Sequence, residues 1–392
     1  MTRKLCFVTG SRAEFGLLKN LIGDALAHPA FDVGLVVTGA HLSRHHGYTI
    51  DEIRAAGFNV DAEIDMFLGQ GEVLDVTKSI SHATAGFGQA FNRLQPDIVV
   101  LLGDRYEILA AATAALIAAI PVAHLHGGET TEGAFDEAIR HAVTKMSHLH
   151  FVANATYEHR VVQMGEQPKR VFNVGGLGVD AIRRLPLLDK KSLENELGFR
   201  FGPKNLLVTF HPVTNALNEG DNALDNLFTA LADLEDTCII FTMPNADVGH
   251  LKISDKINAF ANDNENVHLF HSLGQLNYLS ALQFVDGVVG NSSSGLAEAP
   301  TFGIGTINIG SRQKGRLAAK SVIHCGSDLM SIREALETLY SEKFWRELRH
   351  TVNPYGDGGA SARILSVLSS TKLQDILQKS FFDIGLTEKK ID

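Results

Sequence analysis

Short apolar runs recur along this chain, each followed by polar residues and then by apolar positions at helical spacing. The first run covers 5–9. It opens into Gly10-Ser11-Arg12, and Leu17, Leu18, Leu21, Ile22 and Leu26 follow at helical spacing. The pattern predicts a strand, a Gly-containing turn and a helix. Further strands are predicted at 33–38, Ile98–Leu102, Val122–Leu125, 149–153 and 171–174. Helical segments lie between them, including one over 72–94. Strand and helix in strict alternation imply a parallel sheet covered on both faces.

Residues 183–204 are more charged and hold Pro186 and Pro203, which suits a linker. A second series of strands then follows at 205–210, Thr237–Thr242, Val267–Phe270, 284–289 and Gly305–Ile309. The fold class is therefore α/β, with two similar parallel halves. In such sheets ligands bind at the carboxyl ends of the strands, so a cleft between the two sets of strand ends is the expected binding place. After 353–359 a terminal helical segment is expected.

Composition narrows the function classes. The chain has 392 residues, 45% of them hydrophobic and 20% charged, as in a globular protein with more than one core. A net charge of −10 leaves no basic surplus for nucleic acid, so no nucleic-acid partner is expected. The three cysteines, Cys6, Cys238 and Cys325, lie far apart with no metal spacing, and Cys6 and Cys238 read as buried reduced thiols. No signal peptide is visible. The longest apolar run, 108–123, is Ala-rich and broken by Pro121, short of a membrane span. No membrane association and a cytoplasmic location are the expectations.

Ionisable residues gather after the strands. Gly103-Asp104-Arg105 ends one strand and His126-Gly127-Gly128-Glu129 the next. Asp136, Glu137, Arg140 and His141 open a following helix. Asp104 reads as a helix cap or as one member of a carboxyl cluster with Glu129 that raises a pKa. His126 can exchange protons near neutral pH. Asp136 and Arg140 are also spaced for a simple helix ion pair. In the second half, 290–295 (GNSSSG) places serines and glycines before a short helix containing Glu298, which suits a phosphate. Arg12, His211, Asn245 and Arg312 also sit just after strands. Ligands with metal spacing are missing, so no structural metal is predicted.

The ordered motifs at 10–14 (GSRAE), 103–107 (GDRYE), 126–129 (HGGE), 136–141 (DEAIRH), 211–214 (HPVT), 290–295 (GNSSSG), 310–316 (GSRQKGR) and 353–355 (NPY) resemble the UDP-N-acetylglucosamine 2-epimerase family. They look most like its hydrolysing branch, found in bacterial sialic acid synthesis. The non-hydrolysing enzymes carry a Glu-Ala-Gly-Leu-Arg-type run where this chain has 126–129. His126 itself departs from the glutamate many members carry.

The resemblance implies a GT-B fold of two Rossmann-like domains. The first would be 1–182, with 366–392 crossing back onto it, and the second 183–365. It implies UDP binding by Ser292 and Ser293 at the pyrophosphate and Glu298 at the ribose. His211, Asn245 and Arg312 would line the nucleotide site, with Arg12 and Arg105 reaching it. Asp104, His126, Glu129, Asp136 and Glu137, with Arg140 beside them, would handle the sugar. No cofactor is called for, and a homodimer or homotetramer is expected.

The implied reaction converts UDP-N-acetylglucosamine and water to N-acetylmannosamine and UDP. Two other readings stand beside it. One is the same chemistry on a UDP-2,4-diacetamido-trideoxy-hexose, as in legionaminic acid synthesis. The other is a GT-B glycosyltransferase using a UDP-sugar donor.

Overall fold

The computed structural model describes residues 2–44, 48–69, 73–130, 135–211, 219–243 and 250–385. The chain divides into two compact units: 1–181 with 358–392, and 182–357.

In chain order the first unit holds β1 (Arg3–Thr9), α1 (Arg12–Ala27), β2 (Phe31–Thr38), α2 (Ile50–Ala55) and β3 (Ala62–Ile64). It continues with α3 (Val73–Leu94), β4 (Ile98–Leu102), α4 (Tyr106–Ile117), β5 (Val122–Leu125) and α5 (Asp136–Met146). Then come β6 (Leu149–Val152), α6 (Ala155–Gln163), β7 (Val171–Asn173) and α7 (Leu177–Arg184), which runs across the division. The strands form one sheet in the order β3-β2-β1-β4-β5-β6-β7. β1 pairs in parallel with both β2 and β4, so the strand order reverses there.

Alternation along β1 explains the layering. Leu5 and Phe7 belong to the core beneath α1, while Cys6 and Val8 face the core built with α3 and α4. Because both faces are covered, the strands read as unbroken apolar runs rather than as alternating ones. α4 is buried along much of its length, and its alanines pack between the sheet and α3.

The second unit holds α8 (Lys190–Leu197), β8 (Lys204–Thr209), α9 (Glu219–Ala232), β9 (Thr237–Thr242), α10 (His250–Asp263), β10 (Val267–Phe270) and α11 (Gly274–Ala281). β11 (Gly287–Gly290), α12 (Ser294–Ala297), β12 (Gly305–Ile309), β13 (Val322–Cys325), α13 (Leu329–Leu339) and α14 (Glu342–Leu348) complete it. Its sheet order is β10-β9-β8-β11-β12-β13, reversing between β8 and β11. Leu206 and Val208 face one core and Leu207 the other.

The expected strand at 284–289 is Gly287–Gly290 in the structure; Phe284 and Val285 instead pack into the core beneath it. β3 and β13 were not expected. Both are short edge strands, and β13 is largely half-buried, so neither shows a strong apolar run.

α15 (Ala360–Ser370) returns the chain to the first unit. Ile364, Leu365 and Leu368 join Leu18, Leu21 and Ile22 in one core. Asp180 caps its start, accepting the Gly359 N–H at 2.6 Å and the Ser361 N–H at 3.1 Å. Beyond α15, the Lys379 ammonium donates to the carbonyls of Lys145 and Ser147 at the end of α5, at 2.8 and 2.6 Å. Cys6, Cys238 and Cys325 are unpaired thiols.

Candidate active site

The reversal of strand order in the first unit sets Gly10–Glu14 beside Gly103–Glu107, and the polar residues after β5 lie next to them. Asp104 does not cap α4. The capping position belongs to Arg105, whose side chain makes no capping bond. Asp104 instead pairs with the guanidinium of Arg140, which also meets Glu137 Oε2 at 2.9 Å and the Glu129 carbonyl at 3.0 Å. Arg140 is buried, so one cation gathers the ends of β4, β5 and the first turn of α5. His141 Nε2 lies 3.2 Å from Glu137 Oε1.

Asp136 is the first residue of α5. Burial and then the Asp104 charge push its carboxyl above the usual range, against the lowering effect of Arg105 and Arg140. The converging charges thus perturb Asp136.

His126 sits in the left-handed region, with φ 62°. Its Nε2 accepts the Leu177 N–H, the first of α7, at 3.3 Å. Its Nδ1 lies 2.8 Å from Glu129 Oε1. A ring nitrogen that accepts an N–H carries no proton, so the proton of neutral His126 is on Nδ1, the nitrogen nearer Glu129. Behind them, His124 Nε2 donates to the Gly103 carbonyl at 2.8 Å. Burial pushes His124 down to about 3, so it is a neutral prop for the Gly103 turn.

The cluster therefore contains Asp104, Glu129, Asp136, Glu137, Arg140 and His126 around the ends of two strands. Arg12 is exposed at the start of α1, and Arg105 bonds Glu107 Oε1 through Nε at 2.7 Å. Sequence reading did not single out Glu14 and Glu107, which are 7% and 1% exposed here. Glu14 had a signal in the Ser11-x-x-Glu14 capping-box spacing. Glu107 had none, because the glycines packed against it, Gly10 and Gly39, follow other strands.

In the second unit the reversal brings His211, after β8, beside Asn291, after β11. Asn291 Oδ1 accepts the His211 N–H at 2.7 Å, and Asn291 Nδ2 donates to the His211 carbonyl at 2.9 Å. Arg312 and Gln313 both donate to the Asn291 carbonyl, at 3.1 and 2.8 Å. Gly290 has φ 133°, and a Cβ there would fall 1.9 Å from the Thr209 carbonyl oxygen, so only glycine allows this turn.

The three serines divide. Ser294 bonds Glu298 and accepts from the Tyr278 hydroxyl at 2.7 Å. Ser292 and Ser293 stand before α12, a single turn. Glu298 is not inside that helix but at its end, and burial raises its carboxyl pKa. Asn245 lies outside the described residues. Among the described residues no group of three or more His, Cys, Asp or Glu side chains could hold a metal ion. No helix among them is long and apolar enough to cross a membrane.

The family model of UDP-N-acetylglucosamine 2-epimerase matches residues 24–369. The chain is 39% identical to the GDP/UDP-N,N'-diacetylbacillosamine 2-epimerase (hydrolyzing) of Campylobacter jejuni, over 97% of this chain and 99% of that one. The chain belongs to the UDP-N-acetylglucosamine 2-epimerase family, in its hydrolysing branch. It is also 36% identical to the polysialic acid biosynthesis protein P7 of Escherichia coli, over 97% and 98% of the two chains. Among solved structures, the UDP-GlcNAc 2-epimerase of Neisseria meningitidis bound to UDP-GlcNAc matches with a TM-score of 0.76. The match covers 94% of this chain and 100% of that one at 20% identity. The fold is of the GT-B class, with two Rossmann-like units.

Proposed function

We propose that this chain is a hydrolysing 2-epimerase of a UDP-2-acetamido sugar. The observation that carries the reading is the carboxyl cluster after β4 and β5, in which Asp136 is raised by burial and by Asp104. C2 of such a sugar is next to no carbonyl, so its proton leaves only as part of an elimination.

In the proposed reaction the C1–O bond breaks and its electron pair goes to UDP. A base takes the C2 proton, and C1=C2 forms, giving the 2-acetamidoglycal. Water then adds at C1, and a proton returns to C2 from the other face. The products are UDP and the free 2-epimeric sugar. Two proton transfers on opposite faces need two titratable groups. Asp136 takes the C2 proton. His126 or Glu129 returns the second and is then reprotonated from water. Asp104, Glu137 and Arg140 hold these groups in place.

The proposal gives the nucleotide to the second unit. Ser292 and Ser293 take the pyrophosphate, Glu298 the ribose, and His211, Asn245 and Arg312 the rest of the nucleotide site. Arg12 and Arg105 add positive charge for the leaving diphosphate. No cofactor enters the scheme.

The first substrate reading is UDP-N-acetylglucosamine, giving N-acetylmannosamine for sialic acid synthesis. The motifs and the likeness to the P7 protein support it. The second is a UDP-2,4-diacetamido-trideoxy-hexose, and the 39% identity to the diacetylbacillosamine enzyme favours it. Incubating the chain with each UDP-sugar, without acceptor or metal, tests both. UDP release from one of them with the free 2-epimer as co-product supports the reading. Release only when an acceptor is added would establish a glycosyltransferase instead. The assembly expected from the sequence, a homodimer or homotetramer, is checked by sedimentation.

A further inference from the structure

The strand reversal of the first unit carries a second acidic pair that the proposed reaction does not use. Glu14, on the first turn of α1, folds back so that its Oε2 accepts the Gly10 N–H at 2.7 Å. Its own N–H goes to Ser11 Oγ at 3.3 Å. So far this is a variant of a capping box. A cap does not explain the burial, because Glu14 is 7% exposed and Glu107 is 1% exposed. Glu107 Oε1 is bonded to Arg105 Nε, yet Glu107 Oε2 and Glu14 Oε1 are buried with no hydrogen-bond partner among the described residues. The packing is close. A Cβ on Gly10 would fall 2.5 Å from Glu107 Cγ, and one on Gly39 would fall 3.4 Å from Glu107 Oε1.

Counting charge decides how the pair is protonated. Arg105 is the cation facing Glu14, while Glu107 and Asp104 face it with negative charge. His41 lies behind the same turn, bonded to Thr9 and Thr49 at 3.1 and 2.7 Å. Burial pushes it down to about 4, so it brings no charge at neutral pH. Two buried carboxyls beside one cation keep a proton between them. Glu107 has the direct ion pair, so the proton belongs to Glu14. Burial and then the Glu107 charge push Glu14 up to about 8, against the Gly10 N–H and Arg105. Burial works against the Arg105 charge, but its neighbours, Glu107 foremost, together more than offset it.

We propose that Glu14 and Glu107 form one acid–carboxylate pair that positions Arg105 and the Gly10–Arg12 turn for an anionic group of the substrate. Glu107 holds the arginine, and protonated Glu14 holds the turn. Both are positioning residues. The inference rests on the reading that Arg12 and Arg105 serve the diphosphate. Ionising Glu14 sets a second negative charge beside Glu107. That charge competes for Arg105, loosens the turn and reduces the positive field offered to the ligand.

The test is a pH series through about 8 on the full chain, with wild type, Glu14→Gln and Glu107→Gln. KM and kcat for the UDP-sugar, the dissociation constant of UDP, and ligand-free melting temperature are measured. In wild type, UDP affinity falls above the Glu14 titration by up to about tenfold per pH unit, the limit for loss of one proton, and KM rises more than kcat falls. Glu14→Gln fixes the neutral form and lacks this alkaline limb. Glu107→Gln removes the charge that raises Glu14 and moves the limb to lower pH.

A limb unchanged in either variant overturns the proposal, as does loss of UDP binding by Glu14→Gln at every pH. The melts separate this outcome from failure of the epimerase reading. A carboxyl raised on folding loses stability as pH rises from about 4.5 through about 8. Wild type should show that decline without any ligand, and Glu14→Gln should not. Equal declines also overturn the pair.

Discussion

His126 and Glu129 face each other across 2.8 Å, and the Leu177 N–H on the other ring nitrogen fixes the proton of neutral His126 on the side of Glu129. A carboxyl and an imidazole thus stand side by side at the end of β5.

The pair should behave as one unit. His126→Asn and Glu129→Gln are each expected to lower kcat by on the order of 10²–10³, and the double variant no further, since residues acting together are non-additive. A double-mutant cycle on kcat checks this. Additive losses would show that the two act separately.

Asp136→Asn is expected to lower turnover by about 10³-fold or more, while UDP binds as in wild type. Calorimetric titration of UDP beside steady-state rates makes the comparison. Because burial and Asp104 raise Asp136, the acid limb of kcat/KM should lie above the usual carboxylate pKa, with activity rising as the base ionises. A limb at the ordinary value would remove Asp136 from the role of base.

Arg140→Met takes the cation from Asp104, Glu137 and the Glu129 carbonyl at once. Breaking a buried ion pair by removing one partner costs about 3–5 kcal/mol. Urea unfolding at neutral pH should show a loss of that order. A loss below about 1 kcal/mol, typical of an exposed pair, would contradict the central place given to this side chain.

Glu166 is buried, and His150, Lys145 and Lys379 meet it at 2.9, 2.6 and 2.8 Å. Burial alone would raise its carboxyl, but His150 and then the two lysines hold it at about 2. A carboxyl lowered on folding gives stability that is present above about 4.5 and lost as pH falls towards about 2. Lys379→Met should destabilise the chain at neutral pH by about 2–4 kcal/mol and weaken its acid-limb dependence. Denaturant midpoints across this pH window check both effects.

The sequence made the sheets legible because parallel strands covered on both faces must be apolar throughout, as Ile98–Leu102 is. Edge strands lack that signal. β13 is half-buried along most of its length, and β3 has only three residues. Charged residues after strand ends marked Asp104, His126, Glu129 and Asp136 correctly as neighbours. The partners were not legible, because they depend on tertiary contacts. The i,i+4 spacing of Asp136 and Arg140 suggested a helix pair, whereas Arg140 reaches back to Asp104 and the Glu129 carbonyl. Serine spacing alone did not show that Ser294 is held by Glu298 and Tyr278.

The most direct test of the central claim is proton NMR of the chain incubated in deuterated water, with UDP-N-acetylglucosamine and with the UDP-diacetamido sugar separately. UDP and a free 2-epimeric sugar carrying deuterium at C2 are expected from one of them, with no acceptor present. A product that keeps its C2 proton, or UDP release that waits for an acceptor, would contradict it.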